Sequence, residues 1–184
     1  LAMVLARERQ GKVLPLNVVL EMNGVALGLQ QQKRILESDI LEDSEVVVKP
    51  IARGDNSIAR GILHTAIEHN ATVILTGWRG KAHLRENIFG TVLDEVLWRA
   101  KVPVMLGRLK FSVNAAHRVL LVMARGSTAN DYVDEMVEAA AILAQAINVP
   151  LLILAEEQYL NWVRQCVIDL AIEHPHEIVP LKAN

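Results

Sequence analysis

The sequence predicts an α/β fold built on an open parallel sheet with helices on both faces, present as two incomplete tandem copies. Three observations lead there. Short β-rich runs alternate with helical stretches, several of the runs are apolar on both faces, and the order of elements starts again at His117. Strands apolar on both faces need cover on both faces. Parallel strands joined by helices supply it, with right-handed crossovers.

The elements follow in order. Leu1 to Gly11 reads as the last turns of an amphipathic helix closed by glycine, with no start signal before it. A chain that opens in mid-helix is read as a piece of a larger protein. Val13–Glu21 is a strand, Gly28–Leu41 a helix with Leu36 and Ile40 on one face, and Glu45–Ile51 a second strand. Ser57–Asn70 is a helix, its apolar face set by Ile58, Ile62 and Ala66 with Leu63 and Ile67 adjoining. Thr72–Thr76 is a third strand, Thr91–Lys101 a helix, and Val102–Leu106 a fourth strand.

From His117 the pattern resumes. Arg118–Met123 is a strand, Tyr132–Asn148 a long helix, Pro150–Ala155 a strand, Leu160–Glu173 a helix and Glu177–Leu181 a last strand. A shift of 138 positions lays Leu1–Leu16 on Ala139–Leu154 without a gap. Ala2 then meets Ala140, Leu5 meets Leu143, Ala6 meets Ala144 and Leu16 meets Leu154. Further on, Glu45-Val-Val matches Glu177-Ile-Val. The bland explanation is that any two amphipathic helix–strand units look alike. The recurrence of the whole order favours two copies of one unit. The first copy spans 1–109 and the second, partial copy 117–184, with Gly107 to Ala116 as linker.

Composition narrows the function classes. Of 184 residues 52% are apolar, enough for a substantial core, and the formal charge is −2 with both signs mixed along the chain. No bulk charge favours nucleic acid or anionic lipid as partner. Cys166 is the only cysteine, so no internal disulfide forms, and a reducing, cytoplasmic compartment is the reading. The longest nearly apolar stretch, Ala139 to Ala155, is broken by Gln145, Asn148 and Pro150, and no signal peptide is present. No Ser/His/Asp set, catalytic constellation or metal-spaced His/Cys cluster is found. His64 and His69 are expected to face solvent or a partner, and His174-Pro-His176 to form a turn.

The segment with chemistry in it is Gly77-Trp-Arg-Gly80 through Phe89-Gly90-Thr91, spaced Gly-x2-Gly-x9-Gly-Thr and beginning where a strand ends. Glycines let a phosphate approach the main chain. Gly90-Thr91 then opens a helix whose first N–H groups lack internal partners and form an anion site. Lys81, His83 and Arg85 make the loop basic. The structural alternative is that the glycines only turn the chain, with Thr91 as N-cap and Asp94 completing a capping box.

This motif, placed after a strand and followed by a helix and Val102-Pro103-Val104, resembles the nucleotide-binding signature of the universal stress protein family. Arg53-Gly54-Asp55 with Ile58 and Ile62 is similar to that family's loop and helix after its third strand. The resemblance covers Leu1 to Leu109 and extends more weakly over His117 to the end. It implies a Rossmann-like, adenine nucleotide alpha hydrolase-like sheet of order 3-2-1-4-5, in which the first copy lacks its first, central strand. It also implies an ATP or other adenine nucleotide site. Gly77, Gly80, Gly90 and Thr91 would hold the phosphates, the Val92 N–H would help, and Val18 would lie near the base. Departures are the missing acidic first strand, its counterpart ending Met123-Ala124-Arg125, and the large Trp78 and Arg79 in the motif.

Gly77 to Leu97 is in addition similar to tails attached to bacterial cation/proton antiporters. That implies a non-catalytic, nucleotide-sensing regulatory module, cytoplasmic and tethered to the inner membrane through a transporter domain in the same polypeptide, with a homodimer as the partner state. A free-standing soluble ATP-binding protein that dimerises through Val102–Leu106, and a ligand-free interaction scaffold, are the alternatives.

Overall fold

The computed structural model describes residues 1–21, 29–38, 46–77, 91–108, 115–123 and 132–181. It divides into two compact units, one of Leu1–Arg9 with Lys110–Asn184, the other of Gln10–Leu109. The first helix, α1 (Ala2–Glu8), therefore packs with the second half of the chain, although the sequence groups it with 1–109.

In the Gln10–Leu109 unit the first strand is split into β1 (Lys12–Val13) and β2 (Leu16–Leu20). After helix α2 (Leu29–Ser38) its neighbour is split in the same way into β3 (Val47–Val48) and β4 (Ile51–Asp55). Pro15 and Pro50 cause the breaks, because proline has no N–H to give to a ladder. The strands still run side by side, with Lys49 N–H donating to Val13 O at 2.9 Å and Ile51 N–H to Pro15 O at 2.8 Å. Register is parallel, Val13 opposite Val48 and Leu16 opposite Ile51. Arg53-Gly54-Asp55, assigned by the sequence to a loop, is thus the end of a strand. Its polar residues hid it.

Helix α3 (Ile58–Glu68) then returns across β2 and β4. Strand β5 (Ile74–Gly77), helix α4 (Thr91–Arg99) and strand β6 (Val104–Gly107) complete the unit. Strands β5 and β6 are parallel, Ile74 opposite Val104. Among the described residues no ladder joins β2–β4 to β5–β6, so the central place of a 3-2-1-4-5 sheet is held by no described strand of this unit. Among the described residues its core cluster is Ala59 and Leu63 of α3, Ile74 of β5 and Val96 of α4, with Ile62, Val92 and Val104 against them.

Gly61 decides how close α3 lies. A Cβ built on it would sit 2.6 Å from Val18 Cγ1 and 3.3 Å from Asp55 Cβ, so the helix approaches the sheet more closely than any side chain there permits.

The other unit holds a continuous parallel sheet of order β7-β8-β9, from β7 (Val119–Met123), β8 (Leu151–Ala155) and β9 (His176–Pro180). Helices α5 (Val133–Ala146) and α6 (Glu157–Asp169) connect them. On α5 the buried residues are Val133, Val137, Ala141 and Ala144, the four-residue spacing of one helical face. Together with Ile153, Leu151 and Met123 of the sheet and Tyr159, Leu160 and Val163 of α6 they form the larger core. Burying each large apolar side chain contributes about 1.5–3 kcal/mol. α6 starts a turn earlier than its apolar pattern does, because Glu156, extended at φ −61° and ψ 154°, precedes it as N-cap.

Four helices end alike. Among the described residues the non-glycine ones in the left-handed region are Gln10, Asn70, Asn148 and Ala171, each two past the last residue of α1, α3, α5 and α6 and one past its C-cap. After the last three a main-chain N–H reaches back to the helix: Ala71 to Ala66 O, Val149 to Ala144 O and Ile172 to Val167 O. At α1 it is Gln10, not Gly11, that takes the left-handed turn. Gln10 and Asn148 are also counterparts under the 138-residue shift, but Asn70 and Ala171 make the same turn, so it is not particular to that pair. The shorter match of Glu45-Val-Val to Glu177-Ile-Val does not follow the ladder. Leu16 faces Ile51, and its counterpart Leu154 faces Val179, so Val179 corresponds to Ile51.

Candidate functional site

Of the residues the sequence assigns to a phosphate site, Gly77 ends β5, in register with Gly107 at the end of β6. Among the described residues nothing lies within 4 Å of a Cβ built on Gly77 at the end of β5. Thr91 is the first residue of α4. Gly80 and Gly90 lie outside the described residues, as do Trp78, Lys81, His83 and Arg85. The two described ends of the motif are therefore a strand's carboxyl end and a helix N-terminus. Open parallel sheets bind ligands outside the carboxyl ends of their strands. The Val92 side chain packs on the small core, as a residue one position into α4 must if Val96 is to be buried one turn later. Val18 lies mid-strand in β2, opposite Arg53, with its methyls under Gly61 of α3.

A second group of polar residues stands at the carboxyl end of β4. Asp55 is buried there, and His64 Nδ1–H on α3 donates to its Oδ2 at 3.1 Å. Arg53 Nε and Arg60 Nε lie 3.5 and 3.8 Å from the same carboxylate, and Arg53 also donates to Glu68 at 2.6 Å. Burial by itself would push the Asp55 carboxyl up. Hydrogen bonds from His64 and from the Ser57 and Asn56 main chain, with the Arg60 charge, outweigh it and hold Asp55 below the usual carboxylate range. The hydrogen bond from Arg53 likewise lowers Glu68. The sequence has His64 facing solvent or a partner; its side chain is 42% exposed and at the same time links α3 to the strand end, which the sequence did not foresee. Nine residues and a change of element separate His64 from Asp55, a spacing that no helical or strand period reveals. The arrangement ties α3 down at a strand's ligand-facing end.

In the other unit Asp134, in the first turn of α5, accepts at Oδ1 from the Trp162 indole N–H at 2.9 Å and from the Cys166 thiol at 2.7 Å. These two bonds lower the Asp134 carboxyl. Burial first, and then the neighbouring carboxylate, push the Cys166 thiol up to about 12, so it stays protonated as a donor and is a poor nucleophile. The group joins α5 to α6 and holds no substrate-facing base.

The His174-Pro175-His176 turn is as the sequence has it. His174 Nε2–H donates to Val149 O at 2.7 Å, pinning the turn before β9 to the turn before β8, and His176 donates to His174 O at 2.9 Å. Ser127 and Thr128 lie outside the described residues. Among the described residues no group of three or more His, Cys, Asp or Glu side chains is placed to hold a metal ion. No described helix is long and apolar enough to cross a membrane.

Comparison with known proteins places these features. A sequence model described as the Universal stress protein family matches residues 1–108. The Na(+)/H(+) antiporter NhaS5 of Synechocystis sp. is 32% identical over 125 residues, covering 64% of this chain and 18% of that protein, so the chain spans less than a fifth of this relative's length. Two solved structures align with 98% of the chain. One is a putative universal stress protein from Pseudomonas aeruginosa UCBPP-PA14 (TM-score 0.58, 14% identity, 68% of that chain). The other is a universal stress protein from Archaeoglobus fulgidus DSM 4304 (TM-score 0.55, 19% identity, 72% of that chain). At such identities they show the fold, an α/β arrangement of parallel strands and helices shared by both halves of the chain.

Proposed function

Because the chain belongs to the universal stress protein family, we propose that it is a cytosolic regulatory module of a membrane cation/proton antiporter, responding to an adenine nucleotide of the ATP or AMP type. The observation that carries the transporter part is the 32% identity to an antiporter over 125 residues. That alignment covers 64% of the chain, somewhat more than the family match over residues 1–108. In this reading the module is joined to the transporter in one polypeptide and acts on it without catalysis of its own.

The nucleotide part rests on the motif. Gly77 ends β5 with no described residue within 4 Å of a Cβ built on it, and Thr91 starts a helix whose unpaired N–H groups attract phosphate. The basic residues between them suit a triphosphate, and a nucleotide bound there by Gly77, Gly80, Gly90, Thr91 and the Val92 N–H would reach toward Val18 with its base. Bringing a ligand to α4 alters a helix that shares its core with α3.

Titration calorimetry with ATP, ADP and AMP tests the site, using the chain with the polypeptide that precedes Leu1 in the intact protein. Saturable binding is expected, and Gly80→Val or Gly90→Val should weaken it at least about tenfold by closing backbone access. No saturable binding by that longer chain sinks the sensor. The transporter link is tested separately by ion/proton exchange in vesicles bearing the intact protein, with and without this module. Exchange that ignores both module and nucleotide removes the regulatory role.

A further inference from the structure

Helices α3 and α4 each lead into the start of a strand of the β5–β6 ladder, so their last turns stand at its amino end. The two strand starts are tied there, Ile74 N–H donating to Pro103 O at 3.0 Å. Four large apolar side chains are exposed at this end. They are Ile67 in the last turn of α3, Val73 just before β5, and Leu97 and Trp98 in the last turn of α4. Trp98 is 87% exposed and Ile67 64%. A core gains nothing from an indole held almost wholly in water, and exposed apolar side chains gathered at one place mark a contact surface.

The charges around Trp98 have one sign in excess. From Val96 to Asn130 the chain has six lysines and arginines and no aspartate or glutamate, a local excess that the overall charge of −2 conceals. Two of the six, Arg99 and Lys101, flank Trp98 and are exposed. The carboxylates of the same helix ends, Glu68 and Glu95, each face an arginine, Arg53 at 2.6 Å and Arg99 at 3.3 Å. An exposed pair one helical turn apart, as Glu95 and Arg99 are, holds weakly, so Arg99 can turn to another anion.

We infer that this end of the unit, centred on Trp98 with Ile67, Leu97, Arg99 and Lys101, is a membrane-contact face that seats on anionic lipid headgroups. An indole beside cations is the chemistry of the lipid–water boundary, where the ring lies among headgroups and the cations meet phosphates. A protruding ring sinks into a soft headgroup layer, whereas a protein partner must offer it a fitted pocket. Transporter loops are the poorer occupant, because cytoplasmic loops of membrane proteins carry an excess of lysine and arginine. Such loops repel Arg99 and Lys101, and an anionic leaflet attracts them. Helix α4 begins at Thr91 of the glycine motif and ends at Trp98-Arg99, so one helix joins the motif to this face. The membrane meant is the one beside the transporter proposed above, but the contact belongs to the chain itself.

The test is sedimentation of the full chain with phosphatidylcholine vesicles, with and without phosphatidylglycerol. Binding is expected to the anionic vesicles and should weaken as salt rises. Arg99→Gln and Lys101→Gln should each reduce it about fivefold, and Trp98→Ala several-fold. Melting temperatures should hold, because these side chains are exposed. Ile168→Ala, which trims an exposed apolar side chain in the other unit, should leave binding as it is. No binding to anionic vesicles, equal binding to neutral ones, or binding that Trp98→Ala leaves intact overturns the inference. An equal loss with Ile168→Ala overturns it as well, by showing unspecific adhesion. Retention of a single-stranded oligonucleotide through the same residues, without vesicle binding, overturns it in favour of a polynucleotide site. The assay contains neither nucleotide ligand nor transporter, so its failure and the failure of the proposed function are separate results.

Discussion

The two units are built from the same order of strand, helix and parallel strand, yet their described residues form core clusters of different extent. Among the described residues the unit of Lys110–Asn184 has a core cluster of thirteen buried side chains on one unbroken three-stranded sheet. The unit of Gln10–Leu109 has a cluster of four described residues, from α3, β5 and α4, set on the two-stranded β5–β6 ladder. Apolar content does not explain the contrast, since strands in both units are rich in valine, leucine and isoleucine. What differs is that β7, β8 and β9 offer α5 and α6 one continuous floor. In the other unit the described cluster of α3 and α4 rests on the β5–β6 ladder, while α3 also packs on β2 and β4. Among the described residues the larger cluster therefore lies on the continuous sheet.

The largest effect should come from testing that contrast with equal cuts. Ile153→Ala removes a fully buried side chain from the middle of β8 and should destabilise by about 3–4 kcal/mol in urea denaturation. Leu63→Ala in the small cluster should fall near the low end of the range, about 2 kcal/mol. Equal losses would break the comparison. Next comes Gly61→Ala. Its Cβ would collide with a stiff valine, and overpacking of about 1–3 kcal/mol exceeds the gain of about 1 kcal/mol that alanine brings to a helix. The net loss should largely vanish on a Val18→Ala background, measured by the same denaturation. If Val18→Ala gives no relief, the close approach of α3 is not what makes this position a glycine.

A pH experiment separates the units again. Asp134 has its folded-state value lowered by the Cys166 and Trp162 bonds, so it stabilises fully above its unfolded value near 3.8, and that contribution is lost as pH falls through the lower folded value. Asp55 and Glu68 are lowered too and follow the same sign. Asp134→Asn should therefore flatten the fall in melting temperature between about pH 4 and pH 2, while leaving Cys166 unreactive to alkylation at pH 8. Rapid alkylation of Cys166 in the folded wild-type chain would contradict its burial. The smallest expected effect is a gain. Ala171 holds φ 48°, a conformation that costs a side chain about 1–2 kcal/mol and glycine almost nothing. Ala171→Gly loses part of that relief through a freer unfolded chain, so a rise of roughly 0.5 kcal/mol is expected, read as a small upward shift in melting temperature.

Most of the fold could be read before the structure because buried parallel strands have a plain signature. The runs TVILT, VPVML and LLILA are apolar on both faces and flanked by helical periods, and the strands lie within two residues of where they were placed. The misreadings have a common cause: residues whose chemistry contradicts their position. Arg53 and Asp55 look like loop residues, but ladder bonds to β2 and the cations around Asp55 keep them in a strand. α6 was begun three residues late because its first turn is polar. The docking of α1 on α5 depends on which surface a helix chooses, and amphipathicity alone does not say. Of the candidate site, Gly77 and Thr91 stand where the spacing put them, at a strand end and a helix start. The Asp55–His64 bond and the Gly61 approach were hidden because both are relations between elements, without a period along the chain.

The matched prolines of the β1–β4 ladder bear on how the chain avoids sticking to itself. Because Val13 faces Val48 and Leu16 faces Ile51, Pro15 and Pro50 stand at the same level on neighbouring strands. The far edge of β1 and β2 is in no described ladder. An uninterrupted edge of nine residues, rich in valine and leucine, would be a template for stray extended chains during synthesis and crowding. Pro15 cuts it into a two-residue and a five-residue piece. Each piece is too short to nucleate a stack of copies, while five residues are still enough to set the register of one aligned strand.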